Sequence, residues 1–340
     1  MSNRSDCVVY AGTADGLYAI EEKNGEFDVR LIGFGGMGVM RAPVIQDVDD
    51  PRRLYAGTTK AGFFVSEDSG ASWEERNRGI VYKDVWSIAQ HPLTRTLWVG
   101  TSPADVFRSD DRGESWQECE SLHALPSTKG WTGPVPPHVS RMKSLGLDAN
   151  DPAAIYGAIE EGWAVRSLDG GVSWEQLAEN MDHDAHYITV MPDSSDVVLA
   201  TGGKGVYRST DRGTRWSKRE DGLENYRYTP AYVVVRPARP RQLLTTVTKT
   251  GPGGWAKPEP PGVAFARSED QGETWQILPH AVPDGFRPVP RGLVADLDAL
   301  DVCYAGMTDG SVWMSADDGE HFEQIVGGLP PVHSLAVGRR

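Results

Sequence analysis

The stretch Ser66–Trp73, SEDSGASW, decides the fold because its pattern, S-x-D-x-G-x-x-[W/F], recurs along the chain. The further copies are SDDRGESW (Ser109–Trp116), SLDGGVSW (Ser167–Trp174), STDRGTRW (Ser209–Trp216), SEDQGETW (Ser268–Trp275) and SADDGEHF (Ser315–Phe322). Their closing aromatic residues lie 43, 58, 42, 59 and 47 residues apart. Such a period is typical of one four-stranded propeller blade per repeat, with insertions in the two long intervals.

Each of these octets has the composition of a tight turn between two strands. The aspartate carboxylate can accept hydrogen bonds from backbone N–H groups of its own turn, and the serine hydroxyl can add another. Glycine at the fifth position permits a positive φ, and the closing aromatic ring begins the next strand and packs on its neighbours. The six aspartates are therefore predicted to be structural: Asp68, Asp111, Asp169, Asp211, Asp270 and Asp317.

The octets resemble the Asp-box, or BNR, repeat of sialidases, xyloglucanases, sortilin-like receptors and a photosystem II assembly factor. The resemblance covers nearly the whole chain and implies a β-propeller. It implies no single activity, because the family contains both enzymes and binding proteins. In size the chain is similar to single-propeller bacterial proteins labelled BNR-type glycosyl hydrolases or sialidase-like.

The segments between the octets predict four strands per blade, which we call A to D from the centre outward. Val8–Thr13 and Gly16–Ile20 fit a B and a C strand with no A strand before them, whereas Val332–Val337 fits an A strand with none after it. Joining the two ends completes a blade and removes exposed sheet edges. The sequence therefore predicts one all-β domain, residues 1–340, folded as a seven-bladed propeller closed by strand 332–337.

Composition narrows the class of partner. A net charge of −14 argues against nucleic acid or an anionic membrane as a ligand. The N-terminal stretch has no signal-peptide pattern, and no apolar run of membrane-spanning length occurs. The three cysteines, Cys7, Cys119 and Cys303, show no metal-ligand spacing. These features predict a cytoplasmic protein with free thiols.

The two ends of the propeller differ in what they carry. The octets are C–D turns and share one face with the A–B turns, so the B–C and D–A connections share the other. Long insertions fall on that second face: Glu118–Arg141, Asn180–His186 and Thr248–Gly262. Loops on a rigid scaffold are where sites usually form. Trp131 and Trp255 within these insertions predict a pocket for a flat or sugar-like ligand, although both rings could simply cover the loops.

Aligned A strands predict a ring of cations around the central mouth on the same face. The ligand-binding candidates are Arg41, Arg141, Lys143, Arg291 and His333. Cations clustered at a mouth concentrate an anionic ligand even when the net charge is negative.

Acid–base candidates lie near these cations. His138, His186, Glu160 and Tyr228 are the predicted catalytic residues. Simpler interpretations are a loop-capping role for His138 and a solvated surface position for Glu160 and its neighbour Glu161. His183 and His186 are the candidates for a divalent metal, although the spacing in DHDAH matches no established ligand pattern.

Each activity found in the family requires its own set of residues. A sialidase resemblance requires three arginines, a Tyr–Glu pair and an acid aspartate, and the available groups are Arg41, Arg141, Arg291, Tyr226 or Tyr228, and Glu224. Thr58-Thr59-Lys60 stands where the aspartate is expected, which argues against a true sialidase. A xyloglucanase resemblance implies two seven-bladed propellers with a groove between them. A single ring does not provide that groove. The assembly factor resembles this chain in size and blade number but is exported.

The leading hypothesis is a cytoplasmic, glycosyl hydrolase-like enzyme that acts on a small polar, anionic or sugar-like molecule at the loop-rich face. Hydrolysis, elimination and isomerisation stay open. The competing hypothesis is a non-catalytic ring that binds a protein or peptide on the same face. A third is a scaffold without a ligand.

Overall fold

The computed structural model describes residues 6–39 and 44–340, and in these residues the chain forms seven four-stranded antiparallel sheets. The sheets are the blades of a seven-bladed propeller, as predicted. In the described part of the chain, no helix has the length and apolar character that crossing a membrane would require.

Blade 1 joins the two ends of the chain. It contains β1 (Cys7–Thr13), β2 (Gly16–Lys23), β3 (Glu26–Gly33) and β28 (Val332–Arg339) in the order β28-β1-β2-β3. β28 pairs antiparallel to β1, with Val9 opposite Val337. The predicted closure is therefore confirmed, and the closing strand runs two residues beyond the predicted 332–337.

Blades 2 to 7 follow in chain order. Blade 2 comprises β4 (Ile45–Gln46), β5 (Leu54–Gly57), β6 (Phe63–Ser66) and β7 (Glu74–Glu75). Blade 3 comprises β8 (Asp84–Gln90), β9 (Leu97–Ser102), β10 (Val106–Ser109) and β11 (Gln117–Glu118). Blade 4 comprises β12 (Arg141–Leu147), β13 (Ile155–Glu160), β14 (Trp163–Ser167) and β15 (Glu175–Leu177).

The remaining three blades repeat this order. Blade 5 comprises β16 (Ala185–Met191), β17 (Ser194–Gly202), β18 (Gly205–Ser209) and β19 (Ser217–Arg219). Blade 6 comprises β20 (Val234–Arg236), β21 (Arg239–Thr248), β22 (Val263–Ser268) and β23 (Gln276–Leu278). Blade 7 comprises β24 (Pro290–Ala295), β25 (Cys303–Met307), β26 (Val312–Ser315) and β27 (Glu323–Val326). Helical structure is confined to insertions: 3-10 helices at Glu120–Ala124 and Pro126–Gly130, and one α-helical turn at Pro252–Trp255.

The octets form one repeated hydrogen-bonded turn. In the first, the Ser66 hydroxyl donates to Asp68 at 2.8 Å and accepts the Gly70 N–H at 2.8 Å. The Asp68 carboxylate also accepts the Ser72 N–H at 2.8 Å. The same serine–aspartate bond occurs in the other five octets. The aspartates are thus occupied in holding their own turns.

Two features of the octets extend the sequence-based description. The fourth residue as well as the glycine has a positive φ, as at Ser69 (59°) and Gly70 (88°). This reversal aims the fourth N–H at the A–B turn of the same blade, where Ser69 donates to the Arg52 carbonyl and Gln271 to the Arg241 carbonyl. The octets and the A–B turns therefore lie at one end of the blades.

Apolar packing occurs between neighbouring blades. The described residues form seven buried clusters, each contributed by two adjacent blades, and the last joins blade 7 to blade 1. Octet aromatics tie the blades together: the Trp116 backbone N–H donates to the Arg78 carbonyl at 2.8 Å, and its indole donates to the Arg76 carbonyl at 3.0 Å. Because every blade packs on both of its neighbours, the ends of the strands around the axis are held in fixed positions.

Candidate active site

A polar pocket of about 520 Å³ lies at the end of the blades opposite the octets. A strands begin and B strands end at this site, so side chains from six blades converge there. It is lined by Trp86, Pro134, Val135, Arg141, Lys143, Glu160, Asp184, His186, Tyr187, Tyr228, Pro252, Arg291 and His333. The pocket therefore occupies the loop-rich face that the sequence indicated.

A buried ion-pair group forms one wall. Glu160 ends β13 directly opposite Arg141 at the start of β12. Its carboxylate accepts hydrogen bonds from Lys143 Nζ at 2.6 Å and from Arg141 Nη1 at 2.7 Å. Burial favours the neutral acid, but the charges of Lys143 and Arg141 outweigh burial and lower the pKa of Glu160 to about 2. Glu160 is thus fixed as a carboxylate.

The same competition between burial and an opposite charge acts on the Lys143 ammonium. Lys143 is buried, and burial lowers its pKa although the Glu160 carboxylate opposes that change. Removing Glu160 would leave two cations at this wall without their shared anion.

A second wall carries an aspartate–histidine pair. His186 Nε2 lies 3.1 Å from Asp184 Oδ1, and its Nδ1 lies 3.3 Å from the Thr229 carbonyl oxygen. Burial and the Lys143 charge lower the pKa of His186, against the opposing effect of Asp184. Burial raises the pKa of Asp184, but the contact with His186 more than compensates, so the pKa of Asp184 lies below its ordinary value.

Asp184 and His186 differ in how accessible they are to a ligand. The Asp184 side chain is 27% exposed, whereas the His186 side chain is 2% exposed. Asp184 is therefore the group that a ligand can reach, and His186 holds it from behind. Asp184 lies within the DHDAH motif but is not among the predicted site residues. The i, i+2 spacing of Asp184 and His186 at the start of a strand was the available signal, since such residues share one face.

Aromatic rings and one further cation complete the pocket. Tyr228 packs 4.9 Å from the His186 ring, and Trp255 meets Tyr228 edge-on at 5.6 Å. The Arg291 guanidinium lies 4.7 Å over the Trp255 ring, and its buried Nε has no hydrogen-bond partner. Burial raises the pKa of Tyr228, so its hydroxyl remains protonated at neutral pH.

The structure brings most of the sequence-selected residues together. Those that line the pocket are Arg141, Lys143, Glu160, His186, Tyr228, Arg291 and His333. Trp255 stands beside them through Arg291 and Tyr228. Arg41 lies outside the described residues.

Three selected residues lie elsewhere. His138 has a φ of 60° and its Nδ1 contacts the Gly133 carbonyl oxygen at 2.7 Å, so it holds a turn of its own loop. Trp131 packs on the apolar cluster between blades 3 and 4. His183 lies half exposed beside Asp182, in a separate depression with Lys204 and Tyr207.

Two groups among the described residues bring three candidate metal-ligand atoms within 4.8 Å of one another. One is Glu160, Asp184 and His186, and the other is Asp105, Glu118 and His123. His183 belongs to neither, so the structure does not unite it with His186. At Glu160 a divalent ion would compete with Lys143 and Arg141, which already neutralise the carboxylate. The pocket therefore favours an anionic ligand over a metal.

A second cavity, of about 600 Å³, lies between blades 1 and 2 beside the first octet. Its cations are already paired: Lys23, Arg30 and Arg340 contact Glu21, and Arg339 contacts Asp296. Because its cations are already paired within the protein, this cavity is a weaker candidate for ligand binding than the central pocket.

The fold and the pocket define a seven-bladed propeller with a charged site at one end of its axis, and comparisons with known proteins agree with the fold. No family model matches the chain. Xyloglucanase Xgh74A of Acetivibrio thermocellus is 28% identical over 234 residues, which are 55% of this chain and 27% of the enzyme. The match thus spans about a quarter of that relative.

Solved structures show the same fold. The GH74 enzyme of Niastella koreensis superposes with a TM-score of 0.64 at 13% identity, over 94% of this chain and 47% of the enzyme. YCF48 bound to D1 peptide superposes with a TM-score of 0.60 at 15% identity, over 92% of this chain and 94% of YCF48. YCF48 from Cyanidioschyzon merolae gives a TM-score of 0.55 at 13% identity, over 89% and 95% of the two chains. The structural neighbours thus include a GH74 enzyme and a propeller bound to a peptide.

Proposed function

We propose that this protein is an enzyme that acts on a small, anionic, sugar-like molecule in the central pocket. One observation carries the proposal: Arg291, stacked on Trp255 with Nε unpartnered, shares the pocket with the accessible carboxylate of Asp184. A cation for the ligand's acidic group and a proton acceptor for its reacting carbon or oxygen thus occur together.

Arg291 is the anion-binding group in this proposal. Arg141 and Lys143 share the single negative charge of the Glu160 carboxylate, which neutralises one of their two positive charges. Arg291 forms no ion pair within residues 6–39 and 44–340, and its guanidinium plane is fixed by Trp255. A fixed guanidinium suits a carboxylate, and the faces of Tyr228 and Trp255 suit a sugar ring.

The protonation states favour proton abstraction over hydrolysis. Glycoside hydrolysis commonly needs one carboxyl group protonated as the general acid. Glu160 has a pKa of about 2 and Asp184 a lowered pKa, so neither supplies that acid at neutral pH. Tyr228, whose pKa is raised, is the neutral donor available.

In the proposed reaction, Asp184 takes the proton on the carbon beside the ligand's carboxylate, and Arg291 stabilises the charge that develops there. The electron pair forms a C=C bond while the bond to the β oxygen breaks. The leaving oxygen takes the Tyr228 proton. Proton return from Asp184 to Tyr228 restores both groups, with His186 holding Asp184 in position.

Turnover of uronic-acid oligosaccharides, followed by the absorbance of the new C=C bond, tests the proposal. We expect D184N and R291Q to reduce turnover by about a hundredfold or more, because each removes a group used in the transition state. H138A is the matched control and should retain activity, since His138 contacts its own loop. Equal turnover in D184N and the unaltered protein would contradict the proposal.

A second candidate, a non-catalytic ring that binds a protein or peptide, rests on the full-length superposition with YCF48 bound to D1 peptide. The two candidates differ at Asp184. A peptide-binding ring should lose its ligand in R291Q. It should show no turnover, so D184N should not differ from the unaltered protein in that assay.

Two further inferences, on the type of repeat and on the cellular location, accompany the proposal. The serine–aspartate bonding of all six octets supports their assignment as BNR-type repeats. Cys7, Cys119 and Cys303 are free and buried, which supports a reducing, cytoplasmic location.

A further inference from the structure

We propose that Asp105, Glu118 and His123 form a binding site for a divalent transition-metal ion, zinc in the first instance, separate from the central pocket. Asp105 lies in the turn between β9 and β10, Glu118 ends β11, and His123 lies in the 3-10 helix that opens the connection to blade 4. Each contributes one candidate ligand atom, and all three atoms lie within 4.8 Å of one another.

The separations fit a metal centre. His123 Nε2 lies 3.1 Å from Asp105 Oδ2 and 3.3 Å from Glu118 Oε1. Ligand atoms bound tetrahedrally at about 2.1 Å are about 3.4 Å apart, and nitrogen with carboxylate oxygen is an established zinc donor set.

The buried carboxylate supplies an independent indication of a missing positive partner. Asp105 is fully buried, and its Oδ1 accepts the Val106 N–H at 2.7 Å, but Oδ2 has no hydrogen-bond donor. His123 Nε2 lies near this oxygen without satisfying it by hydrogen-bond geometry, so the imidazole is the nearest group that could compensate its charge. A buried carboxylate oxygen without a donor costs free energy that a bound cation would offset.

Local electrostatics supports this interpretation. In contrast to Glu160, Asp105 and Glu118 form no ion pair with a lysine or arginine within residues 6–39 and 44–340. A metal here would add a charge where the protein supplies only an imidazole.

The proposed ion would also fix a wall of the central pocket. It would tie blade 3 to the start of the insertion that follows β11, and the same insertion supplies Pro134 and Val135 to the pocket. The proposal does not depend on the pocket's activity, since its ligand atoms are different.

Zinc binding to the full chain after chelator treatment tests the site, by calorimetric titration, by the rise in melting temperature and by the visible spectrum of the cobalt-loaded protein. We expect one equivalent to bind, the melting temperature to rise, and the cobalt spectrum to show tetrahedral coordination. H123A and E118Q should weaken zinc binding about tenfold or more and remove the thermal shift. Their side chains are 42% and 31% exposed, so both variants should fold.

Two control variants keep the outcome specific. H186A alters the other metal-like group, and H321A alters an exposed histidine that contacts Asp317 on the octet face. Both should bind zinc as the unaltered protein does. Absence of stoichiometric binding, equal affinity in H123A, or loss in H186A with retention in H123A would each overturn the proposal.

Discussion

Lys143 Nζ and Glu160 Oε1 lie 2.6 Å apart in the central pocket, between the first strand of blade 4 and the end of its second. Both residues are buried, with 8% and 7% of their surface exposed. Lys143 depends on this pair, because without Glu160 its ammonium would be an uncompensated buried charge, whereas Glu160 would still be bound by Arg141.

Replacing Glu160 should therefore destabilise the fold. We expect E160Q to lower the free energy of unfolding by about 3–5 kcal/mol, measured by urea denaturation. The double variant E160Q/K143M should recover part of this loss because it also removes the stranded ammonium. E161Q, one residue along the chain, is the matched control and should change stability little. Equal effects of E160Q and E161Q would refute the importance of the ion pair.

Asp105 should give the metal-free protein a distinctive dependence on pH. Its folded pKa of about 6 lies above the ordinary value of 3.8, so its neutral form is favoured by folding. This contribution is complete below pH 3.8 and is lost as the pH rises through about 6, by about 3 kcal/mol in total.

The difference in unfolding free energy between the unaltered protein and D105N isolates this effect. We expect the difference to change across pH 4–6 in the metal-free state and the change to diminish when zinc is added. D110N is the control, since Asp110 follows the other end of β10 and its exposed carboxylate bonds to Arg108. A difference that is independent of pH would show that Asp105 titrates normally.

Gly222 tests the close approach between neighbouring blades. A Cβ at this position would lie 1.7 Å from the Trp275 carbonyl oxygen, and its φ is +82°. Gly285 has a similar φ of +75° but open space around it. G285A should cost about 1 kcal/mol from backbone conformation, and G222A distinctly more because the backbone of the next blade must also move. Similar unfolding midpoints for the two variants would contradict the inter-blade contact.

The closing strand tests the ring. Truncation after Pro331 removes β28 and leaves β1 as an open sheet edge, and it also removes Val332 and Leu335 from the apolar cluster between blades 7 and 1. We expect loss of cooperative unfolding and aggregation. A synthetic peptide covering Val332–Arg339, added in trans, should restore cooperative unfolding by pairing with β1. A truncated chain that unfolds as cooperatively as the full chain would show that closure is dispensable.

Local chemistry explains why so much of the fold was predictable. Each octet carries its own turn, because the serine, aspartate and glycine that form it lie within seven residues of one another. The alternation of apolar residues then sets the strands, and the unmatched strands at the two ends require one another. The extra positive φ at the fourth octet position was missed because residues as different as Ser69, Arg112 and Gln271 occupy it.

The candidate site was predictable in part. The A-strand alignment selected Lys143, His186, Arg291 and His333 because position along a blade is encoded in the repeat. His138, Trp131 and His183 lie on insertions, whose paths depend on contacts with neighbouring blades rather than on the repeat. The pairing of Asp105 with Glu118 and His123 joins two separate connections, and no local pattern marks it.

The sequence by itself determined the seven-bladed ring and its closure, because turns, strand periodicity and unmatched ends are properties of neighbouring residues. Only the tertiary structure decided which polar groups meet. Glu160 became a fixed carboxylate because Lys143 and Arg141 fold onto it, and Asp184 became the accessible carboxylate because His186 is buried behind it. Protonation and accessibility depend on distances and burial, which arise when distant segments pack around one axis.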